Sequence, residues 1–136
     1  MKQGSEKRFL VVVAIFWSVA ALTLFPHLSG AANTPSGDAE RGKQLFEKRC
    51  TGCHSLDKNK EGPRLRGVFG RKAGAVGDFS YSDELKASQI MWDEQSLDRW
   101  LINPDAMVSN SDMAFHVSDL QERADIIRFL RLSSAK

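Results

Sequence analysis

The chain has 136 residues, 42% apolar and 26% charged, an ordinary globular composition with room for one domain and none for a large enzyme. Nineteen Lys and Arg against 17 Asp and Glu give a net charge of +2, so no basic stripe argues for a nucleic-acid partner. Two cysteines exclude a multi-disulfide framework and a four-cysteine zinc site, and His27, His54 and His116 are the only histidines.

Residues 1–31 read as an export segment. Lys2, Lys7 and Arg8 precede an apolar run of 17 residues from Phe9 to Phe25; Pro26 then ends any helix, and Ser29-Gly30-Ala31-Ala32 offers the small residues a signal peptidase accepts. The run is long for a signal peptide and at the lower limit for spanning a bilayer, so cleavage and a retained inner-membrane anchor are both open. Either way the positive end stays inside and the domain is exported, to the periplasm in a bacterium. The rest of the chain carries 16 basic and 16 acidic side chains, unevenly placed: ten and five in residues 32–72, six and eleven in residues 73–136.

About 104 residues then remain, enough for a modest core that gains from a covalent or cofactor staple. Residues 32–37 form a leader, and residues 38–136 the domain. A first helix starts near Asp38, with Ala39, Gly42, Phe46 and Cys50 on one face. Thr51 to Phe79 is glycine-rich and contains Pro63, which predicts loop. A short helix follows Ser82, where Asp83 and Glu84 suit a first turn. Another runs from about Asp93 to Ile102 and stops at Asn103-Pro104. The last has Ser118 and Gln121 as a capping box, then Leu120, Ala124, Ile127 and Leu130 at helical spacing with Ile126 and Phe129. No strand alternation is present, so the chain reads as all-α with long loops.

Cys50-Thr51-Gly52-Cys53-His54 is a C-x-x-C-H motif, the attachment signature of c-type haem. Two thiols three residues apart on one turn can each add across a vinyl group on the same porphyrin edge, and the adjacent His54 then offers a neutral imidazole nitrogen to the iron. Three other readings compete less well. A redox C-x-x-C would want a βαβ context, which is missing. A zinc site would need two further ligands. A plain disulfide leaves His54 without a role.

The chain beyond its leader resembles a class I c-type cytochrome of the mitochondrial-like bacterial kind, over nearly all of its length. The resemblance lies in Gly42 and Phe46 before the C-x-x-C-H motif, Gly62-Pro63, Gly67 to Gly74, and Phe79-Ser80-Tyr81-Ser82. It continues through Trp92, Leu97, Trp100 to Pro104, Met113-Ala114-Phe115, and Glu122 to Ile127. It implies the cytochrome c fold, all-α, with N- and C-terminal helices packed together around one covalently bound haem. It also implies that the Pro63 carbonyl accepts the His54 Nδ1 proton, and that Arg71, Tyr81, Trp92 and Ser111 donate to the haem propionates. Gly42 would bring the first helix close to Ile126 and Phe129.

Among Met91, Met107, Met113 and His116, the resemblance selects Met113 as the second iron ligand and leaves Met91 and Met107 to fill core. Three positions depart from the family. Ser109-Asn110 replaces Pro-Gly before the methionine, which predicts a looser loop. Trp100 replaces a tyrosine, removing a hydroxyl beside the ligand. Leu85 replaces a polar residue, drying the interior.

The resemblance implies a one-electron carrier rather than an enzyme, cycling Fe(II)/Fe(III) between redox protein partners. A subunit of a larger dehydrogenase or oxidase complex, or an open-site gas-binding haem protein, are the alternatives. A membrane contact is expected only if residues 9–25 are retained. Asp105 and Asp112 stand where relatives carry lysines, while Lys48, Arg49 and Lys58 remain near Cys50. A mixed-charge edge is therefore expected, with Phe115 and Val117 as its apolar contact.

Overall fold

The structure is a computed structural model and describes residues 35–135. The export segment and residues 32–34 of the leader lie outside the described residues. Five helices occur in it: α1 (Ala39–Arg49), α2 (Asp83–Ala87), α3 (Glu94–Ile102), α4 (Pro104–Met107) and α5 (Leu120–Ser134). Among the described residues there is no strand, only an isolated antiparallel bridge between Lys72 and Met91, and no helix long and apolar enough to cross a membrane.

Helix α1 begins because the Asp38 carboxylate accepts from the backbone N–H groups of Glu40 and Arg41, two of the donors a helix start leaves unpaired. Its buried face is Gly42 and Phe46, with Ala39 half-buried. That face lies on α5. A Cβ built on Gly42 would stand 1.9 Å from the carbonyl oxygen of Asp125 and 3.0 Å from Cβ of Phe129, so only glycine lets the backbones approach. The nearest atoms belong to Asp125 and to Phe129. Phe46 and Phe129 pack at 5.3 Å between ring centroids.

The fully buried Asp125 carboxylate is satisfied from several sides: by an ion pair with Arg41, by the Asp38 N–H at 2.8 Å, and by Gln121 Nε2 at 3.0 Å. These bonds fix the two helices in register. Helix α5 is capped by Asp119, which accepts from the Glu122 N–H at 2.8 Å. The cap expected at Ser118 is therefore one residue further on. Gln121 reaches back to Ser36 and Asp125 instead of closing a capping box.

Helix α3 carries the capping box that α5 lacks, formed by Asp93 and Ser96. Asn103-Pro104 ends α3 as expected, but the chain does not stay in loop. The Asn103 side chain accepts from the Ala106 N–H, and Pro104, which needs no partner for its nitrogen, opens the single turn α4. After the distal loop the chain returns to α3 through the Val117 N–H on the Leu101 carbonyl at 2.7 Å. The buried Arg123 of α5 locks this return, bonding the carbonyls of Val117 and Ser118 and the carboxylate of Asp98. The core gathers Phe46, Trp92, Leu97, Trp100, Val117, Ile126 and Leu130, among others. Met107 packs partly buried against it, whereas Met91 is 51% exposed and does not fill core as expected.

Candidate functional site

Helix α1 runs straight into the C-x-x-C-H motif. The N–H groups of Cys53 and His54 both bond back to the Cys50 carbonyl, at 3.1 and 2.8 Å, which winds Cys50 to His54 into one turn. The next loop closes over it: the Gly62 N–H bonds the Cys53 carbonyl at 2.8 Å, and His54 Nδ1 lies 2.8 Å from the Pro63 carbonyl oxygen. A carbonyl only accepts, so Nδ1 carries the proton and Nε2 keeps its lone pair. A Cβ on Gly62 would stand 2.2 Å from His54 Cε1; the ring is packed flush on that backbone.

Burial lowers the His54 pKa, opposed by the Pro63 carbonyl and assisted by Lys60, so the ring is held neutral. Burial likewise pushes the Cys50 thiol up to about 11, against the nearby Arg49 cation. Both cysteines are free, and neither belongs to a disulfide.

Cys50, Cys53 and His54 open onto a largely apolar cavity of about 270 Å³ between the 50–82 loops, α3 and the distal loop. Pro63, Arg71, Tyr81, Trp92, Trp100, Ser111 and Met113 all line it, so every site residue expected from the sequence meets there. Of the four candidate second ligands, only Met113 faces this space. His116 is exposed and its Nδ1 lies 3.0 Å from the Ile102 carbonyl, Met91 is exposed, and Met107 packs against the core.

The cavity lining also includes polar side chains, Arg71, Tyr81 and Ser111. Arg71 is half-buried and bonds two carbonyls, Arg64 and Arg66, both at 3.0 Å; among the described residues no carboxylate pairs with it. Burial lowers its pKa and raises that of Tyr81, whose hydroxyl stays protonated as a donor. A half-buried cation with no protein counter-ion fits an acidic group placed inside the cavity. Ser111 is already engaged, its Oγ lying 3.2 Å from an Asp105 carboxylate oxygen and 3.4 Å from the Met113 carbonyl. Trp92 and Trp100 pack edge to face, 5.2 Å between centroids.

The departures from the family pattern have local answers. The hydroxyl missing at Trp100 is replaced by its indole N–H, which donates to Met113 Sδ at 3.1 Å. Asn110 adopts the left-handed backbone that glycine would supply, with φ 58°, and its side chain reaches Glu84 Oε1 at 3.3 Å. Leu85 lines the cavity as an apolar wall. Sequence reasoning missed Glu61, whose carboxylate lies 3.7 Å from Cys53 Sγ, since nothing in its spacing marks it. Val117, expected at the surface, is fully buried; Phe115, 39% exposed, alone remains of that apolar pair.

A family model, Cytochrome c, matches residues 39–134. The chain belongs to the cytochrome c family. This cytochrome is 36% identical over 108 residues to a cytochrome c of Guizotia abyssinica, covering 76% of this chain and 97% of that one. It is 44% identical over 98 residues to a cytochrome c of Euglena viridis, covering 70% and 96%. Among solved structures, cytochrome cH from Methylobacterium extorquens matches with a TM-score of 0.67 at 40% identity, covering 71% of this chain and 99% of that one. Like other cytochromes c, this one binds a single c-type haem covalently through its C-x-x-C-H pair, Cys50 and Cys53, and its chemistry is haem-based electron transfer.

Proposed function

We propose that this cytochrome is an exported, periplasmic one-electron carrier rather than an enzyme, with His54 and Met113 as the two iron ligands. The observation that carries the ligand pair is that these two side chains, alone among the candidates, face one cavity, with the thiols of Cys50 and Cys53 at its edge. When bound, haem supplies a one-electron Fe(II)/Fe(III) couple; the chain decides how it is held.

Cys50 and Cys53 anchor the porphyrin edge through thioethers. Pro63 orients the His54 ring and strengthens its basicity through the Nδ1 bond. Arg71 and Tyr81 receive the propionates, with Trp92 beside them and Ser111 contributing by rotation away from Asp105. Trp100 bonds the Met113 sulfur. With haem bound, His54 and Met113 would both be taken up as its iron ligands in this largely apolar cavity, leaving the iron without a site for substrate, and a thioether ligand favours a raised potential. The partners are redox proteins, a donor and an acceptor, met transiently or within a larger complex.

The test is a reduced-minus-oxidised visible spectrum of the full chain, with and without carbon monoxide. A low-spin spectrum unchanged by carbon monoxide is expected. Ready carbon monoxide binding by the reduced protein would overturn the carrier reading in favour of an open-site haem protein.

A further inference from the structure

The turn after the C-x-x-C-H motif holds a carboxylate against one of its two thiols. The Lys60 N–H bonds the Gly62 carbonyl at 2.9 Å, and the Gly62 N–H bonds the Cys53 carbonyl at 2.8 Å. Glu61 therefore sits at the tip of a tight turn anchored on the motif itself, and the Lys60 ammonium adds a bond to the Thr51 carbonyl. From that tip Glu61 Oε2 accepts from the Cys53 thiol at 3.7 Å, within range for a sulfur donor. Glu61 lines the haem cavity with Cys53 and joins no ion pair among the described residues. Cys50 is placed differently: half-buried, with the Arg49 cation as its charged neighbour.

We propose that Glu61 is the proton acceptor for Cys53 when haem is attached, so that the two thioethers form by unequal routes. In each attachment a C–S bond forms at the vinyl carbon next to the porphyrin ring, and the vinyl π bond breaks. The sulfur loses its proton and the terminal vinyl carbon gains one, so nothing is oxidised or reduced overall. An ionised carboxylate only accepts, and its contact with the S–H leaves the sulfur lone pairs for the new bond. Glu61 takes the proton from the Cys53 sulfur and passes it to solvent, which supplies the one gained by carbon. The inference rests on covalent attachment alone, whichever side chains bind the iron.

Full-length wild type, Glu61→Gln, Glu61→Asp and Glu61→Ala chains test this, each haem-free with both thiols reduced and then mixed with haem and excess reductant. Thiols still free at each time are trapped with iodoacetamide and located by mass spectrometry. The reduced spectrum reports the same event, since it lies at longer wavelength while one vinyl remains, and Cys53→Ser supplies that single-thioether reference. In Glu61→Gln the Cys53 bond should form about 100-fold more slowly, the lower end for loss of a positioned general base, with the Cys50 bond at its wild-type rate. Haem held by Cys50 alone, with Cys53 labelled, should accumulate. Glu61→Asp should recover much of the rate, and added formate should partly restore Glu61→Ala.

A wild-type rate at Cys53 in Glu61→Gln, or equal slowing at both cysteines, would overturn the proposal. Slowing at Cys53 that neither aspartate nor formate relieves would also overturn it, because residue 61 would then act through the shape of its turn and not through a carboxylate.

Discussion

The carbonyl oxygen of Asp125 occupies the space that a Cβ on Gly42 would need. The α1–α5 crossing is therefore set by a missing side chain, and the site hangs from it, since α1 delivers Cys50 directly. Gly42→Ala gains helix propensity but forces the helices apart. Overpacking of this kind costs about 1–3 kcal/mol. Guanidinium unfolding of the haem-loaded variant should show a lower midpoint with a similar slope.

Acid should act through the same crossing. Burial raises the Asp125 pKa, but the bonds from Arg41, the Asp38 N–H and Gln121 outweigh it and hold the carboxyl below its ordinary value. A carboxylate depressed on folding stabilises the native state above its unfolded pKa of about 3.9, and that contribution is lost as pH falls through the folded value. Asp125→Asn should therefore be destabilised at neutral pH by about 1–3 kcal/mol. Its stability should fall less steeply than that of the wild type below about pH 4. Parallel curves in thermal melts across this range would contradict the assignment.

Gly62 is the proximal counterpart of Gly42. Its Cβ would collide with the His54 ring, 2.2 Å from Cε1. Gly62→Ala must tilt the imidazole and strain its bond to the Pro63 carbonyl. The yield of covalent haem per polypeptide should fall several-fold, and the melting temperature of what does form should drop. A normal yield with wild-type spectra would show that the loop yields instead.

Electrostatic steering should be weak. Glu84 and Asp105 bond to Asn110 and Ser111, which places both beside the segment carrying Asp112, a residue that lines the cavity. None of the three belongs to an ion pair among the described residues. Near Cys50, Arg49 is paired with Glu122. A uniform patch raises on-rates about 10- to 1000-fold and loses this steeply with salt. Here anionic and cationic small reductants should both react with shallow ionic-strength dependence. A steep fall for the anionic reagent alone would reveal a positive edge.

Much of the site was legible because its chemistry is written in short spacings. C-x-x-C-H places two thiols and an imidazole on one turn, and Met113 follows from the resemblance. What escaped was anything decided across the fold. A tryptophan in place of a tyrosine reads as a lost hydroxyl, and only packing on Trp92 shows that the indole N–H lands on sulfur. Val117 reads as surface beside Phe115, yet its N–H bonds Leu101 and its side chain is fully buried. The α5 cap slid from Ser118 to Asp119 because adjacent capping residues compete, and the Ser118 carbonyl is taken by Arg123.

Arg123 gives the distal segment a particular freedom. With Val117 tied to Leu101 and both Val117 and Ser118 tied to Arg123, residues 103–116 leave α3 and return to its end as a closed excursion. Closing such a loop depends only weakly on its length, about 0.6 kcal/mol per doubling. Its sequence can therefore drift with little penalty to the helices beneath. The rim's charge and the methionine's surroundings become a replaceable cartridge, able to adapt to a new redox partner while the α1–α5 joint stays unaltered.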